Sequence, residues 1–222
     1  ASLSNWHGTY NYKMEVGKSM GLIYGFVNDG FYTVDDFNFD ETTKKWTLKP
    51  GVPDNSSFSS GNFSFKPGAM KFKKLSDSDS DLITEEDMTV IGNTNPKVTG
   101  GFGLSGSWKN LDFTAFFNYM CDFDVFNVNK LYLNSAVRRN YSNLSTNMNL
   151  ARRFRYVDDA GVNVSSDPVA LAALNQNAAT YSWMSVTQGI TMSDLIEDGS
   201  FLRLSTLTVG YTFPQRWLSC LG

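Results

Sequence analysis

The chain is poor in the side chains that most active sites require. Among 222 residues it has one histidine, His7, and two cysteines, Cys121 and Cys220. A Ser-His-Asp triad or a site built on paired histidines therefore has almost no material. The cysteines lie far apart and form no CxxC spacing, which argues against a disulfide framework or a zinc centre and leaves free thiols. There is no excess of positive charge either. Lys and Arg number 19 against 22 Asp and Glu, for a net charge of -3, and the densest basic run is Arg152, Arg153 and Arg155. That excludes the electrostatic footprint of a nucleic-acid binder. No apolar run approaches the roughly 20 residues a spanning helix needs, so a helical membrane protein is excluded. A barrel strand needs only about 10 alternating residues, and the missing hydropathy peak says nothing against one. The opening ASLSNWHG lacks the basic start and apolar core of a signal peptide, which reads as a mature chain or a piece of a longer one.

What is present is aromatic and β-prone. Aromatics make up 14% of the chain, led by 17 Phe and 10 Tyr, with 18 Gly. The most telling stretch is VIGNTNPKVTGGFGLSGSWKNLDFTAFFNYM, residues 90–120. In its second arm Leu111, Phe113, Ala115, Phe117 and Tyr119 share one face, while Asp112, Thr114 and Asn118 dominate the other. A short turn at Trp108, Lys109, Asn110 and Leu111 places an aromatic where a membrane-interface girdle would lie.

Four spanning strands are expected, at about 6–14, 99–108, 111–120 and 201–213. Two long outer loops, about 17–97 and 122–199, connect them. The second loop carries two expected helices, one over roughly 128–149 and one opened by Asp167 as N-cap with Pro168 at its first position. The fold class is thus all-β, with antiparallel strands of a transmembrane barrel and minor helices in its loops. Four strands cannot close such a barrel, so the chain is expected to be part of a larger one.

Four segments together resemble the SusC/RagA-type TonB-linked receptors of bacterial outer membranes. They are GLIYGFVNDGFY (21–32), PGAMKFKKL leading into LITEEDMTVIGNTNPKVTGGFG (67–75 and 82–103), AFFNYMCDFDVFN (115–127) and IEDGSFLRLSTLTVGYTFP (196–214). Their order is that of the C-terminal part of these receptors, and the resemblance covers most of the chain. It implies a barrel of about 22 strands, of which this chain would supply four, with an N-terminal plug domain that is absent here. It also implies outer-membrane localisation with the long loops extracellular. Import would draw on the TonB complex through the missing N-terminal part. A SusD-like surface lipoprotein would be the partner, an oligosaccharide or peptide the substrate, and no enzymatic step would be involved.

Several motifs carry chemistry in other settings. Asp77, Asp79 and Asp81 alternate like the first ligands of a calcium loop, with Asp87 as a further acid. Leu82 and Met88, however, stand where a glycine and a bidentate acid belong. Calcium is the one cofactor these residues suggest, and a solvated acidic loop is the competing reading. Gly101, Gly103 and Gly106 spell GxGxxG but lead from strand to strand rather than to a helix, so close backbone packing is expected instead of phosphate binding. The adjacent acids Glu85, Glu86 and Asp87 lack an apolar setting that would make a general acid. Trp46, Tyr181 and Trp183, with Arg138 and Arg139, are the expected substrate contacts, because rings stack on sugars and guanidinium groups grip hydroxyls and carboxylates. The alternative to an importer is a soluble secreted β-sandwich that binds carbohydrate. It would bury Trp6, Tyr10, Tyr12, Phe113, Phe117, Tyr119 and Tyr211.

Overall fold

A computed structural model describes residues 2–6, 9–14, 16–58, 65–134, 143–182, 190–214 and 216, with backbone alone for 2–6 and 9–14. Among these residues the secondary structure is mostly strand. In chain order the strands are β1 (Ser2–Trp6), β2 (Thr9–Met14), β3 (Leu22–Gly25), β4 (Asn28–Phe31), β5 (Phe37–Asp40), β6 (Lys45–Leu48), β7 (Met70–Phe72), β8 (Thr89–Asn93), β9 (Val98–Trp108), β10 (Leu111–Cys121), β11 (Asp124–Phe126), β12 (Ile196–Asp198) and β13 (Phe201–Tyr211). The helices are α1 (Val128–Leu133) and α2 (Pro168–Leu174). No described helix is long and apolar enough to cross a membrane, a statement that bears on helices alone. The chain divides into two compact units, Ala1–Gly92 with Phe126–Glu197, and Asn93–Val125 with Asp198–Gly222.

The second unit holds a three-stranded antiparallel sheet in the order β13-β10-β9. β9 and β10 face one another from Leu111 opposite Trp108 to Cys121 opposite Val98. The link is the two-residue turn Lys109–Asn110, where Lys109 takes the left-handed backbone at φ 57°. Asn110 fastens this turn to the end of β13, donating through Nδ2 to the Thr212 carbonyl at 2.8 Å and accepting from Thr212 N at 2.8 Å.

β13 departs from the simple alternation expected for 201–213. Its pairing with β10 shifts between Phe116 opposite Thr206 and Phe117 opposite Leu204, leaving Ser205 as an extra residue. A bulge exchanges the faces of everything beyond it. Leu207, Val209 and Tyr211 on one side of the bulge therefore share a face with Leu204 and Leu202 on the other. The sequence LRLSTLTVGY carries this phase slip, two alternating runs separated by Ser205 and Thr206.

The expected first spanning strand, 6–14, is instead two strands. β1 and β2 pair antiparallel, Ser2 with Met14 and Trp6 with Thr9, so the chain reverses within that stretch. Alternating aromatics cannot distinguish one long strand from two short antiparallel ones, because both present their side chains with a period of two. β2 continues into a sheet ordered β1-β2-β3-β8, which belongs to the first unit.

The two long excursions build that unit jointly. One core brings Phe26, Met70, Phe72 and Ile83 from the first against Leu131, Met148, Tyr181, Met192 and Leu195 from the second. A second core gathers Tyr32, Phe37 and Ala69, and a third Phe154, Tyr156 and Leu171, with Trp46 packed against both. Polar anchors cross between the excursions. Phe26 N donates to the Thr191 carbonyl, Ser193 N to the Phe26 carbonyl and Ser182 N to the Gly68 carbonyl, each at 2.8 or 2.9 Å. Two loops distant in sequence thus bury one another's apolar residues.

α2 forms where its cap predicted. Asp167 accepts from Val169 N and Ala170 N, both at 3.0 Å, and Leu171 enters the core. Asp167→Ala is expected to cost about 1 kcal/mol, read as a lower urea midpoint at unchanged slope. The helix expected over 128–149 stops at Leu133, and residues 146–148 make only a single 3-10 turn. Asn134, which follows the last helical residue, is buried and donates to the Tyr181 hydroxyl at 3.1 Å. A buried amide committed to a distant partner outweighs local helix preference.

Candidate functional site

Two features stand out, an apolar sheet face and a recess beside Trp46. On the sheet, register assigns Phe102, Leu104 and Trp108 of β9, Leu111, Phe113, Ala115, Phe117 and Tyr119 of β10, and Leu202, Leu204, Leu207, Val209 and Tyr211 of β13 to one face. Thr99, Ser105, Ser107, Asp112, Thr114, Asn118, Arg203, Thr206 and Thr208 take the other, with Phe116 and Met120 among them. The apolar face is largely uncovered: Leu202 is 63% exposed, Val209 63% and Leu207 61%. A soluble sandwich would bury such a face, whereas Phe113 and Tyr211 are exposed and Phe117 and Tyr119 half-exposed. The side chains of Trp6, Tyr10 and Tyr12 lie outside the described residues.

The β9 glycines have a packing explanation. A Cβ at Gly106 would meet the Phe113 ring at 2.7 Å, one at Gly101 would meet Phe116 at 3.0 Å, and one at Gly103 would meet Phe116 at 3.4 Å. At these positions β10 lays its rings over glycines, where no side chain obstructs them. The GxGxxG pattern is therefore a bed for aromatics between two strands.

The recess has a volume of about 350 Å³ and is lined by Lys44, Lys45, Trp46, Phe65, Lys66, Ser165 and Ser166. Trp46 is half-buried, with its ring 4.6 Å from that of Phe39 between centroids. Its indole Nε1 donates to the Ser165 carbonyl at 3.1 Å, which fixes the ring between the two excursions. Of the expected substrate contacts, Trp46 alone is described at an open surface. Tyr181 is buried, where its hydroxyl meets Asn134 and the Asp194 carboxylate, so it is a core anchor and cannot touch a substrate from outside. Burial, then the Asp194 charge, pushes its pKa up. Trp183, Arg138 and Arg139 lie outside the described residues. Among the other arginines, Arg155 pairs with Asp159 at 2.7 Å and Arg153 donates to the Met148 carbonyl at 3.3 Å.

The acidic stretch is not arranged as a calcium loop. Among the described residues no three acidic, His or Cys side chains gather as a metal site. Asp87 is fully buried and consumed by its own chain. Its Oδ1 accepts from Leu75 N, Ser76 N and the Ser76 hydroxyl, and its Oδ2 from Thr84 N and Lys74 Nζ. Burial alone would raise its pKa, but donation by Ser76 N, Thr84 N and Leu75 N outweighs it and holds the carboxyl well below the usual range. Asp81 accepts from Gly51 N at 2.8 Å, while Asp77 and Asp79 are exposed. The signal that could have revealed Asp87 is Thr84-Glu85-Glu86-Asp87, in which the threonine and the acid cap one turn reciprocally.

The chain is similar to a known receptor. It is 24% identical over 206 residues, 93% of its length, to the TonB-dependent receptor P3 of Formosa agariphila, and spans 16% of that relative. The resemblance read from its sequence to a TonB-linked receptor therefore holds. No family model matches. Among solved structures, the RagAB peptide transporter shares 19% identity with a TM-score of 0.47, over 94% of this chain and 19% of that one. The RagAB peptide importer in its open-open state shares 18% with a TM-score of 0.45, over 97% of this chain and 19% of that one.

Proposed function

We propose that the chain is a portion of the barrel of an outer-membrane nutrient importer. It moves an oligosaccharide or peptide by binding and gated passage, driven through the TonB complex and without covalent chemistry. β9, β10 and β13 serve as lipid-facing strands, and the paired excursions are the extracellular loops, offered to substrate and to a SusD-like surface lipoprotein.

The observation that carries this reading is the sheet. Each of its strands has 11 residues, about 37 Å at roughly 3.4 Å per residue. Tilted by about 45°, such strands match an apolar band about 25 Å tall. Trp108 and Tyr211, near the turn, stand where interfacial aromatics belong. Both outer strands of the sheet, β9 and β13, keep one edge without a partner among the described residues. In hydrocarbon those edges require neighbours, which a larger barrel supplies.

The test is a pair of substitutions one residue apart, made in the whole barrel protein that carries this segment and reconstituted in lipid vesicles. Leu207→Arg puts a charge on the apolar face and is expected to cost about 2–4 kcal/mol in the inserted state. Thr208→Arg, on the polar face, should change it by less than about 1 kcal/mol. Equal effects of the two, or a monodisperse protein without detergent that melts cooperatively, would remove the membrane reading.

A further inference from the structure

The chain carries a net negative charge, yet three of its lysines line one recess. Lys44, Lys45 and Lys66 all line the space beside Trp46, and none of them forms an ion pair among the described residues. Local structure holds them there. The β5–β6 hairpin is tied by the Asp40 carboxylate, which accepts from Thr42 N, Thr43 N and the Thr43 hydroxyl. Lys44 follows in the left-handed backbone at φ 54°, and Lys45 opens β6 directly after it.

Lys66 is the least ordinary of the three. It is half-buried, and its Nζ lies 3.9 Å from the centroid of the Tyr156 ring. Tyr156 is itself immobilised, its hydroxyl donating to the Pro67 carbonyl at 2.7 Å. Burial lowers the pKa of Lys66, the mark of an ammonium that has lost water. A ring face replaces only part of that hydration. A cation held half out of water without a counter-ion is a standing cost, and an anion entering the recess would remove it.

We propose that the recess walled by Lys44, Lys45, Lys66, Trp46 and Phe65 is a binding subsite for a small carboxylate-bearing ligand. The carboxylate meets the lysines, and the carbon skeleton lies against the rings. About 350 Å³ is at the lower end of small-ligand pockets, which suits one or two sugar or amino-acid residues rather than a folded partner. The chemistry is shared by an acidic oligosaccharide and an acidic peptide. The inference rests on the reading of Trp46 as a substrate contact, and it adds a charge requirement to that reading.

Calorimetric titration of the whole barrel protein that carries this segment, in non-ionic detergent, tests it. Trigalacturonate and triglutamate serve as charged probes, with maltotriose and triglutamine as neutral counterparts. At least one acid is expected to bind, more weakly as ionic strength rises, and the tighter of the two names the source. Lys66→Gln should weaken that binding by about tenfold, equivalent to about 1.4 kcal/mol, and the exposed double substitution Lys44→Gln with Lys45→Gln should do so comparably. Near-UV circular dichroism checks that each variant is folded, and if Lys66→Gln is not, the double variant decides. Neutral trimers binding as tightly, no probe binding, or an affinity indifferent to both the lysines and salt would overturn the subsite. None of these outcomes touches the membrane reading, which the substitutions at Leu207 and Thr208 test separately.

Discussion

Gly25→Val is expected to disrupt the unit formed by the two excursions. A Cβ at residue 25 would stand 2.4 Å from the Thr191 carbonyl oxygen and 2.9 Å from Ile91 Cδ1. The first of these is backbone and cannot swing aside. Relief requires moving the segment that carries Thr191, which also carries the hydrogen bonds from Phe26 N to Thr191 O and from Ser193 N to Phe26 O. Asn28 N to Ser193 Oγ goes with them. Phe26, stacked on Phe72, and Met192 lie in the core directly behind. Overpacking and the lost bonds together should cost roughly 3–5 kcal/mol. Gly103→Ala, where the nearest atom would be a flexible ring edge at 3.4 Å, is the control and should change stability by less than about 1 kcal/mol. The measurement is urea unfolding of the chain in detergent, followed by near-UV circular dichroism. A Gly25→Val midpoint within error of the unsubstituted chain would show that the excursions do not depend on this approach.

Asp87→Asn should cost nearly as much, about 3 kcal/mol or more, because five donors converge on a carboxylate with no exposure. An amide offers one acceptor oxygen and turns its Nδ2 hydrogens toward groups that themselves donate. The pH dependence has a definite sign. The folded carboxyl titrates well below its usual range, so the stabilisation is present above the unfolded value of about 3.9 and is lost as pH falls below it. The gap between the unsubstituted chain and Asp87→Asn should therefore be wide at neutral pH and narrow steadily below about pH 4. A gap that stays constant into strong acid would mean that the carboxylate charge is not what the loop uses.

The parts of this molecule that were legible in its sequence are those whose determinants are local. The β9–β10 hairpin shows itself through alternation and a two-residue turn, and α2 through Asp167 and Pro168. The helix expected beyond Leu133 failed because Asn134 answers to Tyr181, a residue 47 positions away. For the same reason Tyr181 looked like a ligand contact. An aromatic in a polar loop reads identically whether it faces solvent or a core assembled by a distant segment. The spacing of Asp77, Asp79, Asp81 and Asp87 suggested a calcium loop, and spacing cannot reveal that backbone N–H groups already occupy Asp87. Lys66 escaped notice because a lone lysine has no pattern, and only burial against Tyr156 sets it apart.

The joint core of the excursions also limits how these surface segments can diversify. Because Phe26 and Phe72 from one pack with Met192 and Leu195 from the other, a chimaera that exchanged residues 17–97 with a homologue and kept residues 122–199 would set foreign side chains against a mould cut for these. Such hybrids should misassemble, while recombinants inheriting both segments together should survive.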